Sequence, residues 1–263
     1  MKKLANKVAV IYGDGATGSA IAKKFAREGA NVFFTGRTTS KLKTLADEIL
    51  SGGGTIETAR LDALDEQAVE AHMEDVIGKA GRIDISYNAI GIPQTGVQGV
   101  TLTQLSLEGF LRPFTIYPQA HFITTKAAAK RMIGQGSGVM IMQTPTPSRI
   151  SQPFMGGIGP TWAALEALYR SLSVEYGRYG VRSVCLHTTA VPETPLIDEV
   201  YEIHGSSHGT SYEQFNAVME GRTHRGRLTT LDELTNAAVF VASDEGSAIT
   251  GTILNLTAGM IVE

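Results

Sequence analysis

The sequence predicts an α/β fold, a doubly wound parallel sheet flanked by helices, on three observations. Short runs of aliphatic and β-branched residues alternate with longer segments whose apolar residues recur at helical spacing. Most of the short runs are continuously apolar, as strands covered on both faces are. The strand–helix alternation runs from one end of the chain to the other, which implies right-handed crossovers between parallel strands. The chain has 263 residues, and α/β folds reach ~250 residues as one unit, so residues 1–263 read as a single domain.

The predicted strands are 8–12, 31–35, 55–61, 83–88, 138–144, 182–187 and 252–256. Between them, Leu42, Leu45, Ala46 and Ile49 fall at i, i+3, i+4, i+7, and Val69, Met73 and Val76 form one stripe after the cap candidate Asp65. Leu165, Leu168 and Leu172 make a further stripe, with Pro160 suited to a first turn. Thr230 and Glu233 form a T-x-x-E capping box ahead of Leu234, Ala238 and Val241. Residues 191–227 carry no clean period and read as a flap over a substrate pocket.

Composition excludes several functions. Lys plus Arg is 23 and Asp plus Glu is 26, a formal net charge of −3, which gives no electrostatic drive toward nucleic acid or an anionic membrane. The single cysteine, Cys185, leaves no intrachain disulfide and no multi-cysteine zinc site. The apolar run after Lys7 ends at Gly13, too short for a signal-peptide core or a membrane span. The expectation is a cytoplasmic protein acting on a small molecule, with no nucleic-acid or membrane partner. His204-Gly-Ser-Ser-His208 contains one glycine and is followed by another, which argues against a regular helix, and no metal is expected.

Gly13-Asp14-Gly15-Ala16-Thr17-Gly18 is a G-x-G-x-x-G placed after a strand and before the apolar face Ile21, Ala22, Phe25, Ala26. Glycines permit the tight turn and let backbone N–H groups approach a pyrophosphate, while the helix start adds partial positive charge. Gly13, Gly15, Thr17 and Gly18 are therefore candidate ligands of a dinucleotide in a Rossmann-type unit. A site for NAD usually places an acid about 20 residues on, to hold the ribose 2′-hydroxyl. No acid occurs between Glu28 and Asp47; Arg37 and Lys41 stand there among hydroxyl residues. Those cations suit a 2′-phosphate, so NADP(H) is the preferred cofactor, with NAD(H) also accommodated. Asp14 opposes this, because a carboxylate repels phosphates.

The residues that carry a family resemblance are spread along the chain. They are the phosphate turn, Leu61-Asp62, the stretch Asp84–Gly91 that contains Asn88, the helix Leu165–Glu175, and the C-terminal Gly226-Arg227-Leu228, Phe240–Asp244 and Thr250-Gly251. On these the sequence resembles the short-chain dehydrogenase/reductase family over essentially its whole length. The resemblance implies adenine contact by Asp62, cofactor contact by Asn88 and Gly91, and a homodimer or homotetramer.

The family's chemistry uses a Tyr and a Lys in Y-x-x-x-K, with a Ser and an Asn. Alignment on Leu165–Glu175 puts Ile158 at the Tyr position, Trp162 at the Lys position, Pro145 at the Ser position and Tyr117 at the Asn position. No Lys follows Lys130, no Tyr lies between Tyr117 and Tyr169, and no tyrosine has a Lys four or seven residues later. By this reading the chain is a divergent member without the Ser/Tyr/Lys set. Substitutes come from Tyr117 as proton donor, Thr144 or Thr146 as carbonyl ligand, and Trp162 beside the nicotinamide or a substrate ring. The competing roles are space filling for Tyr117 and strand capping for the threonines. Pro118 disfavours helix at Tyr117, so a helix is expected to kink there or to begin at Pro118. The leading reading is an NADP(H)-dependent oxidoreductase acting on a C=O, C=N or activated C=C bond. The alternative is a catalytically inactive homologue that senses cofactor or joins an oligomer.

Overall fold

A computed structural model describes residues 2–262. Seven strands form one parallel sheet, in the order β3-β2-β1-β4-β5-β6-β7. They are β1 (Val8–Tyr12), β2 (Asn31–Gly36), β3 (Thr55–Arg60), β4 (Ile85–Asn88), β5 (Gly138–Pro145), β6 (Val181–Thr188) and β7 (Thr252–Leu256). The helices are α1 (Ala16–Arg27), α2 (Thr39–Ser51), α3 (Glu66–Ala80), α4 (Leu107–Gln135), α5 (Ile158–Tyr176), α6 (Pro195–His208), α7 (Tyr212–Gly221) and α8 (Leu231–Ala242).

The pleat sorts each strand onto two cores. Ala9 and Ile11 of β1 pack with the apolar stripes of α1, α2 and α8. Val8, Val10 and Tyr12 pack on the opposite side with α3, α4 and α5. That two-sided burial explains why β1 reads as an unbroken apolar run. Strand β3 differs: it is the sheet edge, only Ile56 is fully buried, and its polar residues face outward. Asp65 and Thr230 cap α3 and α8 as the sequence predicts, the latter through a complete capping box.

One expectation is corrected and two are refined. Helix α4 does not start at Pro118; it is one helix from Leu107 to Gln135 with Pro113 and Pro118 inside it. Local proline avoidance is outweighed here by burial of Tyr117, Ala120 and Thr124 along one face. The unperiodic stretch 191–227 contains two helices, α6 and α7, which gather a small separate cluster of Tyr201, Phe215, Met219 and Leu228. Its glycines do not break α6: Gly205 sits inside it where a Cβ would come 3.0 Å from the Thr210 carbonyl, and Gly209 closes it in the left-handed conformation.

The first crossovers build the sheet outward from β1 to β3, and the chain then returns to β4 on the other side of β1. This reversal opens a crevice beyond the carboxyl ends of β1 and β4, where ligands of such sheets bind.

Candidate functional site

One continuous cleft, with a cavity volume of about 720 Å³, starts at that crevice and extends under α6 and α7. Its first half is the phosphate turn. Gly13 adopts φ +111° and packs so closely on the β4 end that a Cβ would lie 2.3 Å from the Ala89 carbonyl oxygen. Gly18 has no room for a side chain: a Cβ there would lie 2.1 Å from the Gly13 carbonyl oxygen. Gly15 opens onto free space. It is the N-cap of α1, which has no side-chain cap and no acid in its first turn. The first amides of α1 are therefore left for an anion beside Thr17. The residues present fit a pyrophosphate.

Arg37, Lys41, Asp62, Asn88 and Gly91 also line the cleft. Arg37 and Lys41 are exposed, and neither forms an ion pair among the described residues. Asp62 orders its own turn by accepting the Leu64 N–H at 3.0 Å. Asn88 is buried and donates to Thr124 Oγ1 at 3.0 Å and to the Tyr169 hydroxyl at 3.2 Å. His121 Nδ1 meets the same hydroxyl at 3.2 Å. Burial holds His121 down to about 3, so the imidazole is neutral.

Asp14 has a position that sequence reasoning missed. Its Oδ2 accepts the backbone N–H of Arg37 at 3.0 Å and of Thr38 at 2.7 Å. A Cβ on Gly36 would fall 2.4 Å from Asp14 Cβ and 2.8 Å from Oδ2. The only sequence signal was the acid between two glycines, opposite a strand that itself ends in glycine.

Farther along, Tyr117, Thr146, Ile158 and Trp162 line the cleft. The Tyr117 hydroxyl accepts the Ile92 N–H at 3.3 Å. Burial pushes this phenol up to about 12, opposed by the Ile92 N–H and the Gln94 side chain. Thr144, a candidate carbonyl ligand, stands outside the cleft. Its hydroxyl donates to Glu166 Oε1 at 2.9 Å, and Ser148 Oγ donates to the same oxygen at 2.6 Å. Glu166 Oε2 also accepts from Arg149 Nε at 3.4 Å. A buried carboxylate needs such partners, and Thr144 is committed to it. Thr146 remains at the cleft wall.

The far end holds residues absent from the sequence-based candidates. Gln94 Nε2 donates to the Ile92 carbonyl at 2.6 Å, Gln98 Nε2 donates to Gln94 Oε1 at 2.8 Å, and Gln98 Oε1 meets His204 Nε2 at 2.8 Å. Burial and the neighbouring His208 bring His204 down to about 4. Glu199 Oε1 accepts the N–H groups of Gln94 and Thr95 and the Thr95 hydroxyl, each at 2.9 Å, and so fastens this loop to α6. Glutamine spacing alone carries no motif, which is why the sequence was silent on this chain of bonds.

The comparisons with known proteins agree with this layout. A family model described as enoyl-(acyl carrier protein) reductase matches residues 15–261. The oxidoreductase UcpA of Escherichia coli (strain K12) is 30% identical over 96% of this chain and 93% of its own length. The uncharacterized oxidoreductase YxbG of Bacillus subtilis (strain 168) is 29% identical over 99% and 93%. Among solved structures, a gluconate 5-dehydrogenase from Burkholderia cenocepacia J2315 in complex with NADP and tartrate gives a TM-score of 0.86 at 24% identity, covering 98% of this chain and 96% of that one. An NAD+-bound xylitol dehydrogenase gives 0.90 at 21% identity, covering 98% and 100%. At these identities the two structures speak to the fold alone. With the sheet order, the phosphate turn and a family match along nearly the whole chain, the protein belongs to the enoyl-(acyl carrier protein) reductase family of the short-chain dehydrogenases/reductases.

Proposed function

We propose that this chain is a nicotinamide-dependent oxidoreductase with a non-standard active site, reducing an activated C=C, C=N or C=O bond of a small molecule. The observation that carries the reading is the single cleft that joins the phosphate turn to Tyr117, Thr146 and Trp162. A bound nicotinamide would supply or accept hydride at its ring carbon C4. Gly13, Gly15, Thr17 and the α1 amides bind the pyrophosphate, Asp62 faces the adenosine end, and Asn88 and Gly91 flank the path to the reactive end. Arg37 and Lys41 favour NADP(H), with NAD(H) as the second cofactor.

The phenol of Tyr117, raised to about 12, holds its proton throughout the neutral range. In that state it is available as a proton donor to a reduced substrate and takes the same proton back in the reverse reaction. His204, which lines the same cleft, is neutral at neutral pH and supplies no imidazolium there. A C=C or C=N acceptor demands less of this site than a ketone, because a developing alkoxide would need strong donors. Thr146 and Trp162 offer only a hydroxyl and an indole N–H.

The test is NADPH and NADH oxidation by purified protein against enones, imines and ketones, followed at the nicotinamide absorbance band. Turnover above a denatured control on an enone or imine is the expected result. Tight coenzyme binding with no turnover on any of them would support the other reading, a cofactor-sensing homologue or oligomer partner. No binding of either coenzyme would overturn both.

A further inference from the structure

The end of β2 bears no acid of its own, yet a carboxylate occupies the place where such an acid's side chain would begin. It arrives from the β1–α1 turn. Asp14 lies so close over Gly36 that any side chain at 36 would collide with its Cβ and carboxyl group. Its Oδ2 is held by the N–H groups of Arg37 and Thr38, and Thr38 is the N-cap of α2. Its Oδ1 has no hydrogen bond among the described residues, and Asp14 lines the cleft together with Arg37, Thr38 and Lys41.

We infer that Asp14 is a cofactor-selecting residue that opposes Arg37 and Lys41: its free oxygen accepts the adenosine ribose 2′-hydroxyl, and its charge restrains the binding of a 2′-phosphate. The inference rests on the dinucleotide reading above and sharpens it. Acceptance of the ribose 2′-hydroxyl needs an acceptor at the end of the second strand, and Oδ1 is an unengaged one. A 2′-phosphate seeks N–H donors and cations. Two N–H groups of the turn are already taken by Oδ2, and a carboxylate about 6 Å from a phosphate at an effective dielectric of ~40 weakens its binding about tenfold. Arg37 and Lys41 pull the other way. The wild-type preference for NADP(H) over NAD(H) is therefore smaller than two unpaired cations alone would produce.

The test uses ligands without a nicotinamide ring, so that it reads binding and not turnover. Adenosine 2′,5′-bisphosphate and adenosine 5′-monophosphate are titrated calorimetrically into the full-length wild type and Asp14→Asn, with NADPH and NADH as the complete coenzymes. Asparagine keeps a carbonyl oxygen for the two N–H groups, so the turn stays fastened, while the charge is lost and the free oxygen becomes an NH2 that cannot accept. The expected result is a Kd for the bisphosphate about tenfold lower in Asp14→Asn, with the monophosphate weakened, and the same divergence between NADPH and NADH; a monophosphate Kd left unchanged would overturn the 2′-hydroxyl contact. Asp14→Ser, which removes the charge with a different side chain, must move the ratio in the same direction. Parallel changes for both ligands would mean that Asp14 merely fastens the turn, and an unchanged ratio would mean that its charge is not sensed; either overturns the inference while leaving the dinucleotide reading intact. If the wild type binds none of the four ligands, the dinucleotide reading falls and takes this one with it.

Discussion

The ring of Tyr117 stands 4.8 Å from that of Trp162, centroid to centroid, at an interplanar angle of 43°. The two residues come from α4 and α5 and meet on the wall of the cleft. Tilted aromatic pairs of this kind add order beyond their buried area. Trp162 therefore fixes the direction of the phenol as well as forming part of the wall.

Replacing Tyr117 by Phe keeps the ring pair and deletes the proton. The expected outcome is turnover reduced about 10²–10⁴-fold with coenzyme affinity unchanged. Equal turnover in the variant, measured by nicotinamide absorbance, would return Tyr117 to a space-filling role.

The pH profile gives an independent check on the same group. Burial has raised the phenol to about 12, so it stays protonated through the neutral and mildly alkaline range. Reduction should show no loss attributable to this group from pH 6 to about pH 10, and should decline as the phenol ionises above that. A basic limb near pH 7 in the turnover rate would identify a different donor.

Arg37→Ala removes one of the two cations at the adenosine end. NADPH should weaken about tenfold or more while NADH changes little, because only the 2′-phosphate loses a partner. Equal losses for the two coenzymes in a binding titration would refute the 2′-phosphate assignment.

Thr144→Val deletes one of the donors to the buried Glu166 carboxylate and preserves the side-chain volume. Stability should fall by about 1.5–3 kcal/mol in urea unfolding, the usual range for a lost hydrogen bond to a charged group. Coenzyme affinity should not change. A large loss of turnover without a loss of stability would bring the Thr144 hydroxyl back into the chemistry.

His121 makes stability depend on pH with a definite sign. Folded, it is held near 3; unfolded, it titrates near 6.5. Between those values the unfolded chain binds the extra proton, so this stabilisation is complete above about 6.5 and is lost as pH falls toward 3. His204, near 4, adds in the same direction. The urea midpoint should fall steadily below pH 6.5, and less steeply in His121→Gln; identical slopes would remove His121 from the account.

Much of the fold was legible because the apolar runs of β1, β2, β4, β5 and β6 are the residues that the two cores bury. The phosphate turn was legible because Gly13 and Gly18 answer to steric limits that any sequence must obey. Helices α6 and α7 were not, since their buried face is a small cluster around Tyr201 and Phe215 rather than a long stripe. Thr144 and Thr146 were indistinguishable until Glu166, 22 residues beyond the first of them, was seen to claim one and not the other. Asp14 looked adverse to nucleotide binding because the sequence could not show that its carboxylate is fastened to backbone 23 and 24 residues further along the chain.

The mutual exclusion of side chains at positions 14 and 36 makes the two a matched pair. A recipient that gained this phosphate turn without a glycine at the end of its second strand would have to buckle one loop or the other. Grafts, chimaeras and recombination libraries drawn from this chain must carry both sites as one inheritance, and a crossover point placed between residues 14 and 36 will discard most of its progeny.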